Sequence, residues 1–122
     1  MKTNGIVEMF KTQNQQHDFT GTFLDTDVLK RAITTYGKEE QMMMMVEEAA
    51  ELIQAINKVR RAKNDAEEIR AMEHLAEEVA DCFIVLMQIK LMVCKKRVDE
   101  ILNYKMNRLK ENLDKQEVKN VK

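Results

Sequence analysis

Apolar residues recur along most of the chain at alternating steps of three and four, the period that predicts amphipathic helices. The first such segment begins at Asp25-Thr26-Asp27 and ends at Tyr36. Gly37 follows it, in a position where a glycine in the left-handed region commonly ends a helix. The sequence therefore predicts four helices, with approximate ranges 25–36, 38–62, 65–93 and 98–113.

The two ends of the chain lack this period. Residues 1–24 contain many Asn, Gln and Thr residues, and we interpret them as a flexible N-terminal arm. A lid or strap that contacts a base is the alternative, because Phe19 and Phe23 offer stacking faces. Residues 25–114 form the predicted helical domain, and residues 115–122 a frayed tail.

A tight turn is predicted between the second and third helices. Basic residues between positions 58 and 63 load the end of the second helix with positive charge, which suits its dipole. Asn64 is a good N-cap for the third helix, and Glu67 completes a capping-box pattern. These signals predict an antiparallel hairpin that turns between Asn64 and Asp65.

Two pairs of carboxylates lie at equal distances in sequence from this turn. Glu48 and Glu51 precede it, and Glu78 and Asp81 follow it. Residues three apart lie on one face of a helix, so the hairpin brings both pairs to the same level. Their immediate neighbours are mostly small or apolar, and no Lys or Arg stands at i±4. A solvated acidic face is the alternative interpretation.

Four acids directed at one space repel each other strongly unless a cation holds them. All-oxygen ligands favour Mg²⁺, with Mn²⁺ as a substitute, whereas Zn²⁺ favours His and Cys. Neither histidine completes the Glu-x-x-His pattern of di-iron bundles. His74 either supports Glu78 from one turn away or is a partly exposed structural histidine. The predicted ligands of the metal are Glu48, Glu51, Glu78 and Asp81.

Composition limits the classes of protein. The chain has 122 residues, no proline and three glycines, and 34% of its residues are charged, which suits one domain of long helices. The net charge of −1 argues neither for nor against a polyanionic partner. The short basic clusters lack the interleaved aromatic residues that are typical of nucleic-acid binding, so we expect no nucleic-acid partner.

The sequence has no apolar stretch long enough to span a membrane, and its polar start is not a signal peptide. We therefore expect a cytoplasmic protein and no membrane partner. Cys82 and Cys94 are predicted to be buried thiols.

A carboxylate-held Mg²⁺ normally leaves positions for water and substrate phosphates, which points to metal-assisted phosphoryl chemistry. Carboxylates that the metal does not need can orient or deprotonate the attacking water. Further cations for the phosphates are expected on the fourth helix, where Asn103, Lys105 and Arg108 are placed for this role. Ordinary surface charge is the alternative. The methionines at 42–45 are interpreted as core and dimer seam, or else as a pliable wall for a nucleobase.

The motif Glu47-Glu48-x-x-Glu51, followed after a helix-length gap by Glu78-x-x-Asp81, resembles the signature of the MazG-like all-α nucleotide pyrophosphohydrolases. The relatives in that family include dimeric dUTPases, dCTP pyrophosphatases and phosphoribosyl-ATP pyrophosphohydrolase. The resemblance covers residues 36–110 and implies an all-α four-helix bundle whose core is completed by dimerisation, as a homodimer or homotetramer. It also implies the same four metal ligands, catalytic roles for Glu47 and Glu48, and phosphate contacts from Asn103-x-Lys105-x-x-Arg108.

The function expected from the resemblance is Mg²⁺-dependent cleavage of a nucleoside triphosphate to the monophosphate and pyrophosphate, in the removal of unwanted nucleotides. Phosphoribosyl-ATP is the alternative substrate. A non-enzymatic helical interaction protein, with the acids as an exposed face, is the alternative class.

Overall fold

The computed structural model describes residues 24–121. This part of the chain is helical and contains no strand, which confirms the all-α class. The predicted N-terminal arm, with Phe19 and Phe23, lies outside the described residues except for Leu24. The helices that the structure describes are α1 (Thr26–Tyr36), α2 (Lys38–Arg61), α3 (Asp65–Met92) and α4 (Lys95–Val121).

Helix α1 begins and ends at the residues that the sequence predicts. The Asp25 carboxylate accepts hydrogen bonds from the backbone N–H groups of Asp27 (3.0 Å) and Val28 (3.3 Å), which satisfies two donors of the first turn. Gly37 ends the helix with φ of 95° and ψ of 149°. The positive φ is as predicted, but this ψ is extended rather than left-handed helical. Such a conformation is almost confined to glycine, and it lets α2 start at the next residue.

The turn between α2 and α3 has the predicted capping chemistry. The Asn64 side-chain oxygen accepts a hydrogen bond from the backbone N–H of Glu67 at 2.9 Å, as an N-cap should. The Glu67 carboxylate in turn accepts from the backbone N–H of Lys63 at 2.9 Å. This reciprocal bond lies one residue earlier than in the usual capping box, where the N-cap N–H is the donor.

Helix α4 differs from its prediction at both ends. The break after α3 lies at Val93 and Cys94, so α4 starts at Lys95, ahead of the predicted Val98. The predicted end at Leu113 is wrong, because α4 continues to Val121 and takes in most of the predicted tail. The extra segment contains no Gly or Pro, and Lys110 pairs with Asp114 at 3.5 Å across one helical turn.

The chain divides into two compact units, Met1–Gln88 and Ile89–Lys122, a boundary inside α3 that the sequence does not signal. In the described part of the first unit, the buried residues are few: Leu29, Gln41, Ala55, Glu78, Cys82, Val85 and Gln88. Within the second unit, Lys90 of α3 pairs with Asp99 of α4 at 2.8 Å, while α4 has no buried residue.

One cysteine departs from its prediction. Cys82 is buried, but Cys94 is exposed because it stands at the break between α3 and α4 rather than inside a continuous helix. None of the described helices is both long enough and apolar enough to cross a bilayer.

Candidate metal centre

Helices α2 and α3 bring three of the four predicted ligands together. Carboxylate oxygens of Glu48, Glu78 and Asp81 lie within 4.8 Å of one another. The Cys82 thiol donates a hydrogen bond to the backbone carbonyl of Glu48 at 3.3 Å, so the two helices are in close contact beside these acids. We call Glu48, Glu51, Glu78 and Asp81 the acid cluster.

Glu51 stands slightly apart from the other three acids. Its side chain is exposed, and it is not among the residues whose oxygens lie within 4.8 Å. It still acts on the same space, because its negative charge raises the pKa of both Glu48 and Glu78. Glu47, the predicted catalytic helper, is exposed beside Glu48 and adds to the negative potential there.

Two carboxylate oxygens of the acid cluster are buried without a hydrogen-bond partner among the described residues. They are Oε2 of Glu48 and Oε2 of Glu78. Burial raises the pKa of Glu48 above its usual value, and the charges of Glu51 and Asp81 raise it further. Burial also raises the pKa of Glu78, with Glu51 as the next cause. A buried, unpaired and mutually repelling set of oxygens is costly, and either protonation or a bound cation would relieve this cost.

His74 lies against the acid cluster. Its Nε2 atom is 3.7 Å from Oε1 of Glu78, and its Nδ1 atom is 4.0 Å from Oε2 of Glu77. The imidazole partly offsets the rise in the pKa of Glu78. The side chain is 42% exposed and its ring lies beside Glu78, and the choice between the two interpretations of His74 stays a prediction.

Sequence reasoning missed a buried amide pair in the same seam between the helices. Nε2 of Gln41 donates a hydrogen bond to Oε1 of Gln88 at 2.7 Å. A signal was present, since Gln41 precedes Glu48 by seven residues and Gln88 follows Asp81 by seven. Two helical turns separate each glutamine from its acid, so all four face the same seam.

The predicted phosphate contacts lie on α4. Asn103, Lys105 and Arg108 are all exposed, and they belong to the second compact unit. Their role stays a prediction.

No family model, curated protein or solved structure matches this chain. The fold and the site by themselves define a class: an all-helical protein whose antiparallel helix pair carries a partly buried carboxylate cluster. Such a cluster is suited to a divalent cation with oxygen ligands.

Proposed function

We propose that this chain is a Mg²⁺-dependent nucleotide pyrophosphohydrolase of the MazG-like type. It would cleave a nucleoside triphosphate to the monophosphate and pyrophosphate. The observation that carries the proposal is the meeting of Glu48, Glu78 and Asp81, two of which hold an unpartnered buried oxygen. The motif resemblance supplies the reaction.

The residues of the acid cluster fit an oxygen-liganded cation. Glu48 and Glu78 each present a desolvated oxygen, Asp81 is more exposed, and the charge of Glu51 acts on both glutamates. Mn²⁺ has the same preference for oxygen and is the natural substitute. When bound, the metal would neutralise phosphate charge and lower the pKa of an attacking water.

The chain's own carboxylates would do the remaining chemistry. Glu47 is exposed next to Glu48, so it is free to accept a hydrogen bond from the water that attacks the phosphate. The negative charge of Glu47 also raises the pKa of the neighbouring Glu48. Either carboxylate can accept the proton that the attacking water loses. Asn103, Lys105 and Arg108 are retained as proposed phosphate contacts.

A second copy of the chain belongs to the proposal. Met42, Val46, Ile53 and Ile56 follow steps of three, four and seven along α2, and all four are exposed. We call them the α2 stripe. Val46 and Ile53 are each 60% exposed, and an exposed apolar face at this regular spacing is typical of a helix that a partner covers. A homodimer, alone or within a tetramer, would bury this stripe and complete a four-helix bundle.

The test is pyrophosphate release from a panel of ribo-, deoxy- and oxidised nucleoside triphosphates, with Mg²⁺ or with EDTA. Wild type would be compared with Asp81→Asn, which keeps the shape and removes a ligand charge. Glu73→Gln, an exposed acid on the same helix, is the matched control. We expect release of pyrophosphate that needs Mg²⁺ and is lost in Asp81→Asn alone.

If no nucleotide releases pyrophosphate, binding of Mg²⁺ to the protein would be measured by calorimetry. Metal bound without turnover would direct the search to phosphoribosyl-ATP. If no metal bound, the acid cluster would belong to a non-enzymatic helical interaction protein, and the proposed function would be wrong.

A further inference from the structure

A cavity of about 370 Å³ that is widely open to solvent lies at the turn end of the α2–α3 hairpin, away from the amide pair. Its walls carry three cations, Lys58, Arg61 and Arg70, and also His74. One acid, Glu67, lines it as well, and alanines complete the lining. We call it the basic cavity.

The cations of the basic cavity have no ion-pair partner among the residues that the structure describes. Lys58, Arg61 and Arg70 are exposed, and none of them enters a described salt bridge with a carboxylate. The Glu67 carboxylate, the one acid in the lining, is already used to accept the Lys63 backbone N–H. The cavity therefore offers positive charge and hydrogen-bond donors that the described fold does not consume.

Helix dipoles explain only part of this charge. Lys58 and Arg61 lie in the last turns of α2, where a cation is favourable. Arg70 lies in the N-terminal part of α3, where the dipole gives a cation no benefit. Its position on the same cavity as the α2 cations is what a site for an anion requires.

The basic cavity adjoins the acid cluster through His74. This residue lines the cavity, and its Nε2 atom is 3.7 Å from Oε1 of Glu78. Along α2, Lys58 is two turns from Glu51, which corresponds to about 10 Å. A chain of a few phosphates can thus be held at one end by cations and at the other end by the metal-binding acids.

We propose that the basic cavity binds the terminal phosphates of the substrate, the part released as pyrophosphate. This rests on the proposed function and deepens it by giving the substrate a direction along the hairpin, with its nucleoside end away from the turn. The planar guanidinium groups of Arg61 and Arg70 suit phosphate oxygens, to which they can donate two parallel hydrogen bonds. The flanking acids Glu67 and Glu78 restrict the site to a short anion rather than a nucleic-acid backbone.

The experiment measures binding of inorganic pyrophosphate by calorimetry in EDTA, so that the acid cluster has no metal. Wild type is compared with Arg61→Gln, Arg70→Gln and the matched control Arg60→Gln, which removes the same charge from the same turn of α2 outside the cavity. We expect each cavity variant to weaken binding by about tenfold or more, because each loses charged hydrogen bonds. Arg60→Gln should stay within about twofold, as a screened surface charge.

Equal losses in all three variants would show general attraction to positive charge and would overturn the inference. The inference would also be overturned if the wild-type protein bound no pyrophosphate, or if it bound a single-stranded oligonucleotide instead of pyrophosphate. These outcomes are independent of the proposed function, because Mg²⁺ titration of the same variants reports on the acid cluster alone. If the cavity variants keep metal binding but raise KM for the nucleotide, both proposals stand together.

Discussion

Gln41 and Gln88 face each other across the hairpin at 2.7 Å, both buried, at the end far from the turn. Their residue numbers add up to the same total as those of Glu48 and Asp81, and as those of Glu51 and Glu78. The same antiparallel register therefore allows the hydrogen bond between the two glutamines and places the acids of α2 opposite those of α3. A buried polar pair of this kind favours one register, because any shift leaves both amides unpaired.

Replacing one glutamine should cost more than replacing both. Gln41→Leu leaves the Gln88 amide buried without its partner, and we expect the free energy of unfolding to fall by about 1–3 kcal/mol. Gln41→Leu/Gln88→Leu should recover most of this loss, because no unpaired amide remains. Urea unfolding measures both variants.

The matched control for the amide pair is Gln54→Leu, an exposed glutamine on the same helix, which should change stability by less than about 0.5 kcal/mol. If the double variant were as unstable as the sum of the single variants, the two amides would not act as a pair.

Removing one acid should stabilise the metal-free chain and remove its response to metal. Glu78→Gln keeps the shape of the side chain and eliminates a buried, repelled charge, so Tm in EDTA should rise. In wild type, Mg²⁺ at 100 times its Kd should add about 2.7 kcal/mol to the free energy of unfolding, and the variant should lose this increment. Glu73→Gln, an exposed acid on the same helix, should keep it. A wild type whose Tm ignores both Mg²⁺ and Mn²⁺ would contradict the prediction.

The stability of the metal-free chain should fall as pH rises above about 4.5, the usual pKa of a glutamate. Burial raises the pKa of Glu48 and Glu78 in the folded chain, so over this window the folded state holds protons that the unfolded state has released. The free energy of unfolding then decreases with pH until both groups are ionised, and below the window the penalty is absent. Urea midpoints measured in EDTA at about pH 5 and about pH 7 test the sign.

The glutamine variants again provide the control. Glu48→Gln/Glu78→Gln should flatten the pH dependence across this window, because neither position can then release a proton. A midpoint that rises with pH in wild type would contradict the direction of both pKa shifts.

The α2 stripe should hold two copies of the chain together. Ile53→Glu places a charge at a position that is 60% exposed in the single chain and buried in the proposed dimer. We expect this variant to dissociate to monomer in sedimentation equilibrium at concentrations where wild type is dimeric. Gln54→Glu, the adjacent exposed residue, should leave the assembly unchanged. A monomeric wild type would remove the dimer from the proposal.

Local signals in the sequence predict most of the helix boundaries. Asp25 and Asn64 act as N-caps, and Gly37 has the positive φ that its position requires, because each of these choices depends on neighbours in sequence alone. Counting residues outward from the turn also predicts that Glu48 and Asp81 lie opposite each other. No such signal marks the end of α4, where the eight residues that continue the helix past Leu113 include no Gly or Pro.

Burial is the property that the sequence predicts least well. An apolar stripe indicates which face of a helix is covered but not by what, and here the α2 stripe is open within the chain. The buried apolar residues of α2 and α3 are instead Ala55, Cys82 and Val85, and polar residues are also buried in both helices. The burial of Gln41 and Gln88 and the lining of the basic cavity depend on contacts between helices. The helical period does not show whether a polar residue faces another helix or faces solvent.

The hairpin also has a consequence for where this chain can vary in length. The acid cluster and the amide pair lie on two arms, α2 and α3, and paired residues are about equally far in sequence from the turn at residues 62–64. Extra residues in the turn lengthen neither arm, so the acids and the amides keep their levels. A single residue inserted between Glu51 and Arg61 would rotate one arm by about 100° and turn its acids out of the seam. Length changes in functional variants of this protein should therefore be confined to the bend.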